Sequence, residues 1–190
     1  METKRITDIG ITEDIYQIRM QRDFDPNELK PWSLIEKLWN RNEYAFYALT
    51  ESEAILGYAL FARKENNYLL DYLAIEENHR DRGLGSLFLK MLAEQLQDTA
   101  CIVVEVEDPG KAGSPEDRAL RKRRLKFYLR NGYRKTGVVA RVYGVDYLIL
   151  EVPADAEHTA EEIFEIYTDL YRSMHPAWFF QTQFRAEIIS

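Results

Sequence analysis

Residues Tyr68–Gln97 read YLLDYLAIEENHRDRGLGSLFLKMLAEQLQ and carry the clearest structural signal in the chain. An apolar run predicts a strand, and the polar turn after it ends in Arg-x-x-Gly-x-Gly, with Arg80, Gly83 and Gly85. Apolar residues then recur at three- and four-residue spacing, which predicts an amphipathic helix. That apolar stripe consists of Leu84, Leu87, Phe88, Met91, Leu92 and Leu96. The stretch therefore predicts a strand–turn–helix unit with glycines at the turn.

The glycine-rich turn has the properties of a phosphate-binding site. Its backbone N–H groups converge, the helix dipole adds partial positive charge, and glycine lets a ligand approach closely. A P-loop requires Gly-Lys-Ser/Thr, but Gly85 is followed by Ser86. A dinucleotide fingerprint requires a third glycine where Phe88 stands. Neither loop fits, and a simple tight turn before a helix stays open as an alternative.

A second segment, Phe127-Tyr128-Leu129-Arg130-Asn131-Gly132-Tyr133, lies at the end of a predicted helix and leads into a strand. The two segments resemble the motifs Arg/Gln-x-x-Gly-x-Gly/Ala and Phe-Tyr-x-x-x-Gly-Phe/Tyr of the GNAT superfamily of N-acetyltransferases, in the same order. Independently of the family, Gly132 fits a left-handed helix C-cap. The resemblance covers residues 68–133 and identifies the chain as a member of this superfamily.

The resemblance implies an α/β fold, the GNAT acyl-CoA N-acyltransferase fold, with a mixed central sheet of about seven strands flanked by helices. It implies an acetyltransferase domain over residues 1–153 and an added helical and aromatic extension over residues 154–190, packed on the same domain. Trp178, Phe179 and Phe180 are too apolar to be left in water, so the extension is expected to act in packing, in dimerisation or as a lid.

Periodicity and turn signals predict the element boundaries. The predicted strands are Lys4–Ile11, Tyr44–Thr50, Leu56–Arg63, Tyr68–Ile75, Cys101–Glu107, Tyr133–Tyr143 and Val145–Val152. The predicted helices, besides the one after the glycine turn, run from a Thr12 or Asp14 cap to Arg22 and over Trp32–Arg41, Glu116–Asn131 and Glu157–Arg172.

The resemblance also implies acetyl-CoA as co-substrate, with contacts from a strand and the following turn. The strand residues would pair with pantetheine and polarise the thioester carbonyl, and the turn would bind the pyrophosphate. The strand residues are Leu73, Ala74 and Ile75, and the turn residues are Arg80, Asp81, Arg82, Gly83, Leu84, Gly85 and Ser86. Tyr128 would donate a proton to the departing thiolate, since a phenol keeps its proton at neutral pH.

The helix Glu116–Asn131 carries many basic residues, and its apolar residues predict one buried side. That side consists of Leu120, Leu125, Tyr128 and Leu129. The family commonly has asparagine at the position of Arg121 and a small residue at that of Arg124. Arginine at these positions would either reach a phosphate of coenzyme A or point outward.

The amine acceptor must lose a proton before it attacks, and the residue that takes it is unassigned. Asp71 on the predicted coenzyme strand and Glu105 on the next strand are the candidates, while a carboxylate that points to solvent is the favoured alternative for each. In some family members a glutamate near the position of Leu69 acts as the base, but the leucine of this chain cannot accept a proton.

Composition narrows the class of partner and the compartment. A net charge of −7 argues against nucleic acid and favours cationic acceptors. No apolar run reaches membrane-span length and the N-terminus lacks a signal-peptide core, so we expect no membrane contact. The single cysteine, Cys101, excludes a disulfide framework, indicates the cytoplasm, and is expected as a buried strand residue. No two histidines show metal-ligand spacing, so no metal is expected.

Acetyl transfer from acetyl-CoA to a primary amine of a small molecule is therefore the favoured function. A protein N-terminus or lysine as acceptor, a non-catalytic acyl-CoA-binding regulatory module, and a structural phosphate-binding module stay open. A homodimer through the C-terminal extension is also expected. The acceptor, the acyl chain length and the oligomeric state have no legible motif in the sequence.

Overall fold

The computed structural model describes residues 1–26, 28–96, 99–153 and 156–189. They form a mixed α/β fold in which helices flank a sheet of eight strands. The strands are β1 (Glu2–Ile6), β2 (Tyr44–Glu51), β3 (Ala54–Lys64), β4 (Asn67–Ile75), β5 (Cys101–Glu107), β6 (Arg134–Val142), β7 (Val145–Pro153) and β8 (Phe184–Ile188). The α-helices are α1 (Ile9–Asp14), α2 (Gln21–Asp23), α3 (Trp32–Asn40), α4 (Leu84–Gln95), α5 (Pro115–Arg130), α6 (Ala160–Met174) and α7 (Ala177–Thr182).

Three short helical turns complete the described elements: a π-helical turn, Ile15–Met20, joins α1 to α2, and 3-10 turns cover Glu77–His79 and Pro109–Lys111. None of the helices described is both long enough and apolar enough to cross a membrane.

The chain divides into two compact units. The first contains Met1–Arg63 and Leu70–Gln97, and the second contains Lys64–Leu69 and Asp98–Ser190. The sequence-based division after Pro153 stays a prediction, and the two residues that follow Pro153 lie outside the described residues.

In the first unit the strand order is β1-β2-β3-β4, and the pairs β1–β2 and β2–β3 are antiparallel. The predicted hairpin is confirmed, since β2 pairs with β3 from Tyr44 opposite Ala62 to Glu51 opposite Ala54. The helix after the glycine turn is also confirmed, but Leu87 of its predicted apolar stripe is exposed. Its buried residues are Leu84, Phe88, Leu89 and Leu92.

The first strand ends sooner than the sequence predicts. It stops at Ile6 because Asp8 caps helix α1, where its carboxylate accepts the N–H of Gly10 at 2.7 Å. Ile9 and Ile11, whose alternation suggested a longer strand, are exposed on the helix instead. The helix accordingly starts before the predicted cap residues.

In the second unit the strand order is β5-β7-β6-β8, and all three neighbouring pairs are antiparallel. β5 has the predicted bounds, and Cys101 at its start is fully buried, as predicted. The eighth strand was not predicted. It pairs with β6, with Val138 opposite Ile188, and this pairing rather than a strong local pattern makes it a strand.

Helix α5 differs from its predicted packing, because it has no buried residue. Leu120 and Leu129, assigned to a buried side by the sequence, are exposed, and Leu125 is half-buried. Its apolar residues are separated by charged ones, and they form no continuous stripe of the kind that buries a helix face.

Helix α6 begins at Ala160 instead of Glu157 because Thr159 and Glu162 form a capping box. Its apolar face is buried, including Tyr167 and Tyr171. Phe179 in α7 is fully buried as expected, but Trp178 beside it is 60% exposed, which contradicts the expectation for that residue.

Candidate active site

The glycine turn of the first unit follows the end of β4 and opens helix α4. Gly83 takes a left-handed conformation with φ of 77°, and Asp81 also has a positive φ, 60°. A Cβ atom at Gly83 would meet nothing within 4 Å, so glycine is favoured there by backbone conformation. Because Gly83 is the N-cap and has no side chain to offer, the first N–H groups of α4 receive no side-chain cap.

The residues of the turn differ in exposure. Asp81, Arg82 and Gly83 are exposed, Gly85 and Ser86 are half-buried, and Leu84 is buried. The exposed backbone at the start of a 12-residue helix offers N–H donors and positive dipole potential to an anion.

The guanidinium of Arg80 holds this turn through hydrogen bonds to protein groups. Its Nε donates to the carbonyl of Ile75 at 2.8 Å, and its NH2 group donates to Asp23 Oδ1 at 3.2 Å. Asp23 also accepts from the hydroxyl of Tyr58 at 2.9 Å, and burial together with the Asp23 charge raises the pKa of Tyr58. The sequence did not indicate that Arg80 binds protein groups, because Asp23 lies far away along the chain.

A second ion-pair group holds the residue after β4. Glu76 accepts from Arg19 and, at 3.0 Å, from Arg22. These pairs connect the entrance of the turn to the π-helical turn and α2. Hydrogen bonds and ion pairs from charged side chains of the segment before α3 therefore hold the turn in place.

The predicted coenzyme strand packs closely against β3. Leu73 and Ile75 are half-buried, and Ala74 is buried. A Cβ atom at Gly57 would lie 2.8 Å from the carbonyl oxygen of Ala74, so only glycine allows this approach. The N–H of Glu76 continues the pairing by donating to Leu56 at 2.9 Å.

Asp71 is buried, so the alternative that it points to solvent is wrong. Its side chain is 3% exposed and that of Lys30 is 5% exposed, and Lys30 Nζ lies 2.7 Å from Asp71 Oδ1. The hydroxyl of Tyr44 donates to the other carboxylate oxygen. Both oxygens of Asp71 therefore already accept hydrogen bonds, and the pair attaches the segment before α3 to β4.

Tyr72 strengthens the same attachment. Its hydroxyl donates to the carbonyl of Glu28 at 2.8 Å and accepts the N–H of Lys30 at 2.9 Å. The Lys30 ammonium also lies 5.6 Å from the centre of the Tyr72 ring, a cation–π distance.

In the second unit, Tyr128 lies near the end of α5 and is half-buried. Its ring contacts those of Phe127 and Tyr133, at centroid distances of 5.1 and 5.2 Å. Burial raises the pKa of the Tyr128 phenol, and the nearby Arg124 charge partly opposes this. The hydroxyl therefore keeps its proton at neutral pH, as a proton donor requires. Gly132 has the predicted left-handed conformation, with φ of 88°.

Arg121 and Arg124 both bind Glu107. Arg121 NH2 lies 3.3 Å from Glu107, and its Nε lies 2.8 Å from Asp117, while Arg124 binds the other oxygen of Glu107. The Arg121 side chain is 15% exposed, so it does not simply point outward. The structure thus places both arginines on carboxylates of their own unit.

Glu105 on β5 is half-buried and accepts two tyrosine hydroxyls from α6. Tyr171 donates to its Oε1 at 2.6 Å, and Tyr167 donates to the same oxygen. The sequence did not predict these contacts. The signal that points to them is a pair of tyrosines four residues apart on a buried helix face, since buried phenols need an acceptor.

A third polar cluster of the second unit surrounds Glu151, which is fully buried. Glu151 accepts from Arg134 and lies 2.8 Å from His158 Nδ1 and 3.5 Å from Cys101 Sγ. Its charge is thus compensated by the Arg134 guanidinium, which does not favour a further cation there. Burial and the Glu151 charge raise the pKa of Cys101, which keeps it a thiol.

The chain was compared with family models, curated proteins and solved structures. A family model described as the acetyltransferase (GNAT) family matches residues 12–133. A search of curated proteins finds no match.

Solved structures with a similar fold include three that cover most of this chain. A GNAT-family protein from Bacteroides thetaiotaomicron is 18% identical with a TM-score of 0.71, and the match covers 94% of this chain and 98% of that one. An aminoglycoside 6′-N-acetyltransferase complexed with coenzyme A is 15% identical with a TM-score of 0.61, covering 83% and 99%. The ribosomal-protein-S18-alanine N-acetyltransferase from Escherichia coli is 19% identical with a TM-score of 0.52, covering 82% and 96%.

Sequence identities this low show that these proteins share a fold with this chain, but they do not show which acceptor it uses. The eight-stranded sheet confirms the α/β class predicted from the two motifs, with one strand more than expected. Because the family model spans well over half of its length, the chain belongs to the GNAT acetyltransferase family.

Proposed function

We propose that the protein transfers an acetyl group from acetyl-CoA to the primary amine of a small molecule, by direct attack of the amine on the thioester. The observation that carries this proposal is the left-handed Gly83 at the uncapped start of α4, in a chain of the acetyltransferase family. A structural relative complexed with coenzyme A supports this co-substrate.

The coenzyme contacts that we propose come from β4 and the turn after it. N–H groups of Arg80–Ser86 bind the pyrophosphate, with Arg80 itself bracing the turn through Ile75 and Asp23. Backbone groups of Leu73–Ile75 bind pantetheine, and one N–H there polarises the thioester carbonyl. Arg121 remains a candidate phosphate contact, although a phosphate would compete with Glu107 and Asp117 for its guanidinium.

The proton steps need one acceptor and one donor. As the amine nitrogen bonds to the carbonyl carbon and the carbon–sulfur bond breaks, the amine loses a proton and the thiolate gains one. We assign the donor role to Tyr128, whose raised pKa keeps its proton available. Glu105 takes the amine proton, directly or through water.

Glu105 is preferred to Asp71 for a physical reason. The Asp71 side chain is 3% exposed, forms an ion pair with Lys30 and accepts from Tyr44, so a proton or an amine reaches it only by breaking that network. Glu105 accepts instead from the neutral hydroxyls of Tyr167 and Tyr171. We therefore propose a structural role for Asp71.

A protein acceptor is the second candidate, because one structural relative is named for a ribosomal-protein alanine. Incubation with acetyl-CoA and matched panels of small amines and peptides, followed by thiol release and product mass, separates the two. Turnover of peptides alone would overturn the small-molecule proposal. Stabilisation by acetyl-CoA without transfer to any amine would indicate a regulatory module, and no stabilisation would indicate a structural turn.

We also propose a homodimer through the C-terminal extension. Strand β8 ends the strand order, and a two-fold antiparallel pairing about Ala186 would place Arg185 of each copy opposite Glu187 of the other. Ile188 at the end of β8 and Trp178 of α7 are exposed, at 43% and 60%. Light scattering with size exclusion tests this, and Arg185→Glu should leave a monomer.

The single buried cysteine leads us to propose a cytoplasmic location.

A further inference from the structure

The carboxylate of Glu105 is held by the C-terminal helix. Tyr167 and Tyr171 lie one turn apart on α6, are 0% and 1% exposed, and both donate to Glu105 Oε1. Helix α6 starts well after the residues that the family model matches, which end at residue 133. A segment outside the matched region therefore sets the position of a carboxylate on β5.

The two tyrosine rings are fixed by their neighbours. Their centroids are 5.1 Å apart, and Phe184 of β8 lies 5.7 Å from the ring of Tyr167 and 4.8 Å from that of Tyr171. The ring of His175 also stacks on that of Tyr171, with their centroids 5.6 Å apart. Because both rings are buried and packed against these neighbours, their hydroxyls keep a defined direction.

Both hydroxyls donate to the Glu105 carboxylate. Burial raises the pKa of Tyr167 well above its usual value, and the charge of Glu105 raises it further. Hydrogen bonds that a carboxylate accepts stabilise its ionised form. The pair of phenols thus favours Glu105 as an anion in one orientation.

Other charged groups around Glu105 have their own partners. On the same strand, Glu107 binds Arg121 and Arg124 of α5. On α6, Asp169 binds Lys64 and Arg172. Tyr147 of β7 also raises the pKa of Tyr167, and the ring of His175, the residue that follows α6, stacks on that of Tyr171. Glu105 itself accepts hydrogen bonds from the hydroxyls of Tyr167 and Tyr171.

We propose that Tyr167 and Tyr171 are positioning residues that hold Glu105 as an ionised anchor for the ammonium group of a cationic acceptor amine. This inference rests on the proposed acetyl transfer and names its substrate class. Glu105 binds the acceptor as an ammonium ion, which gives its first proton to solvent water. The neutral amine then attacks the thioester, and Glu105 takes the second proton, directly or through water, as the carbon–sulfur bond breaks. The C-terminal extension thereby contributes to acceptor specificity without contacting the acceptor itself.

Replacement of the two hydroxyls tests the proposal. In Tyr167→Phe/Tyr171→Phe, the acid limb of the pH profile of kcat/KM for the best amine should move about one pH unit upward, because the anion loses two donors. KM for the amine should rise while KM for acetyl-CoA stays unchanged. Each single variant should show a smaller shift. Phe184→Leu is a comparison variant: it removes ring packing but keeps both hydroxyls, so it should shift the acid limb less than the double variant does.

A readout without activity keeps the test independent of the proposed function. In protein labelled with ¹³C at glutamate carboxyls, the Glu105 signal, identified from its loss in Glu105→Gln, should titrate at higher pH in the tyrosine variants than in the wild type. An unchanged titration in folded variants would overturn the inference. Stabilisation by acetyl-CoA, measured in the same variants, reports separately on the coenzyme site.

Discussion

The buried pair of Lys30 and Asp71 should dominate the stability of the first unit. Lys30→Met removes the ammonium and leaves the Asp71 carboxylate, whose side chain is 3% exposed, with the Tyr44 hydroxyl as its remaining side-chain partner among the described residues. Removal of one member of a buried ion pair costs about 3–5 kcal/mol. For a chain of this size that corresponds to a fall in Tm of roughly 6–20 °C.

The double variant Lys30→Met/Asp71→Asn should be more stable than Lys30→Met alone, because it no longer buries an unpaired charge. Lys64→Met is the matched control. Its ion pair with Asp169 lies at the surface, with side chains 40% and 49% exposed, so its loss should cost under about 1 kcal/mol.

Urea unfolding at neutral pH measures all three variants. If Lys30→Met lowers the free energy of unfolding as little as Lys64→Met does, the stabilising role of the buried pair is refuted. A fourth variant, Asp71→Asn alone, tests the role of Asp71, since a structural role predicts that the protein keeps its turnover as long as it stays folded. A loss of turnover in Asp71→Asn that is still folded at the assay temperature would restore Asp71 as the catalytic base.

Three further predictions concern single residues. Tyr128→Phe should lower kcat without weakening acetyl-CoA binding by calorimetry, and since burial raises the Tyr128 pKa, wild-type activity should show no alkaline limb from this group below about pH 10. Gly57→Ala should destabilise by about 1–3 kcal/mol in urea, because its Cβ would lie 2.8 Å from the Ala74 carbonyl, whereas Gly113→Ala, with open space, should not. Cys101, buried with a raised pKa, should react with a thiol reagent only after unfolding.

Short-range signals in the sequence predicted the part of the fold that we propose binds the coenzyme. A glycine-rich turn, a helix start and an amphipathic pattern follow one another within a short stretch, so the sequence predicted the segment from β4 to α4. The first strand was extended too far because the Asp8 cap competes with alternation. Strand β8 depends on pairing with β6, which no local pattern encodes.

The partners of the candidate carboxylates could not be predicted, because they come from distant parts of the chain. Asp71 meets Lys30 across 41 positions, and Glu105 meets Tyr167 across 62. Such contacts follow from tertiary packing and leave no periodic trace. The roles of these residues in catalysis stay predictions, and so do the coenzyme contacts of Arg121.

The central claim is that the turn before α4 binds the coenzyme. Calorimetric titration with acetyl-CoA tests it on wild type, Gly83→Glu and Gly144→Glu. Both glycines have left-handed backbones, with φ of 77° and 85°, and open space where a Cβ would be, so backbone strain is matched. We expect wild type and Gly144→Glu to bind alike and Gly83→Glu to lose binding, since a carboxylate would occupy the pyrophosphate position. Normal binding by folded Gly83→Glu would contradict the account.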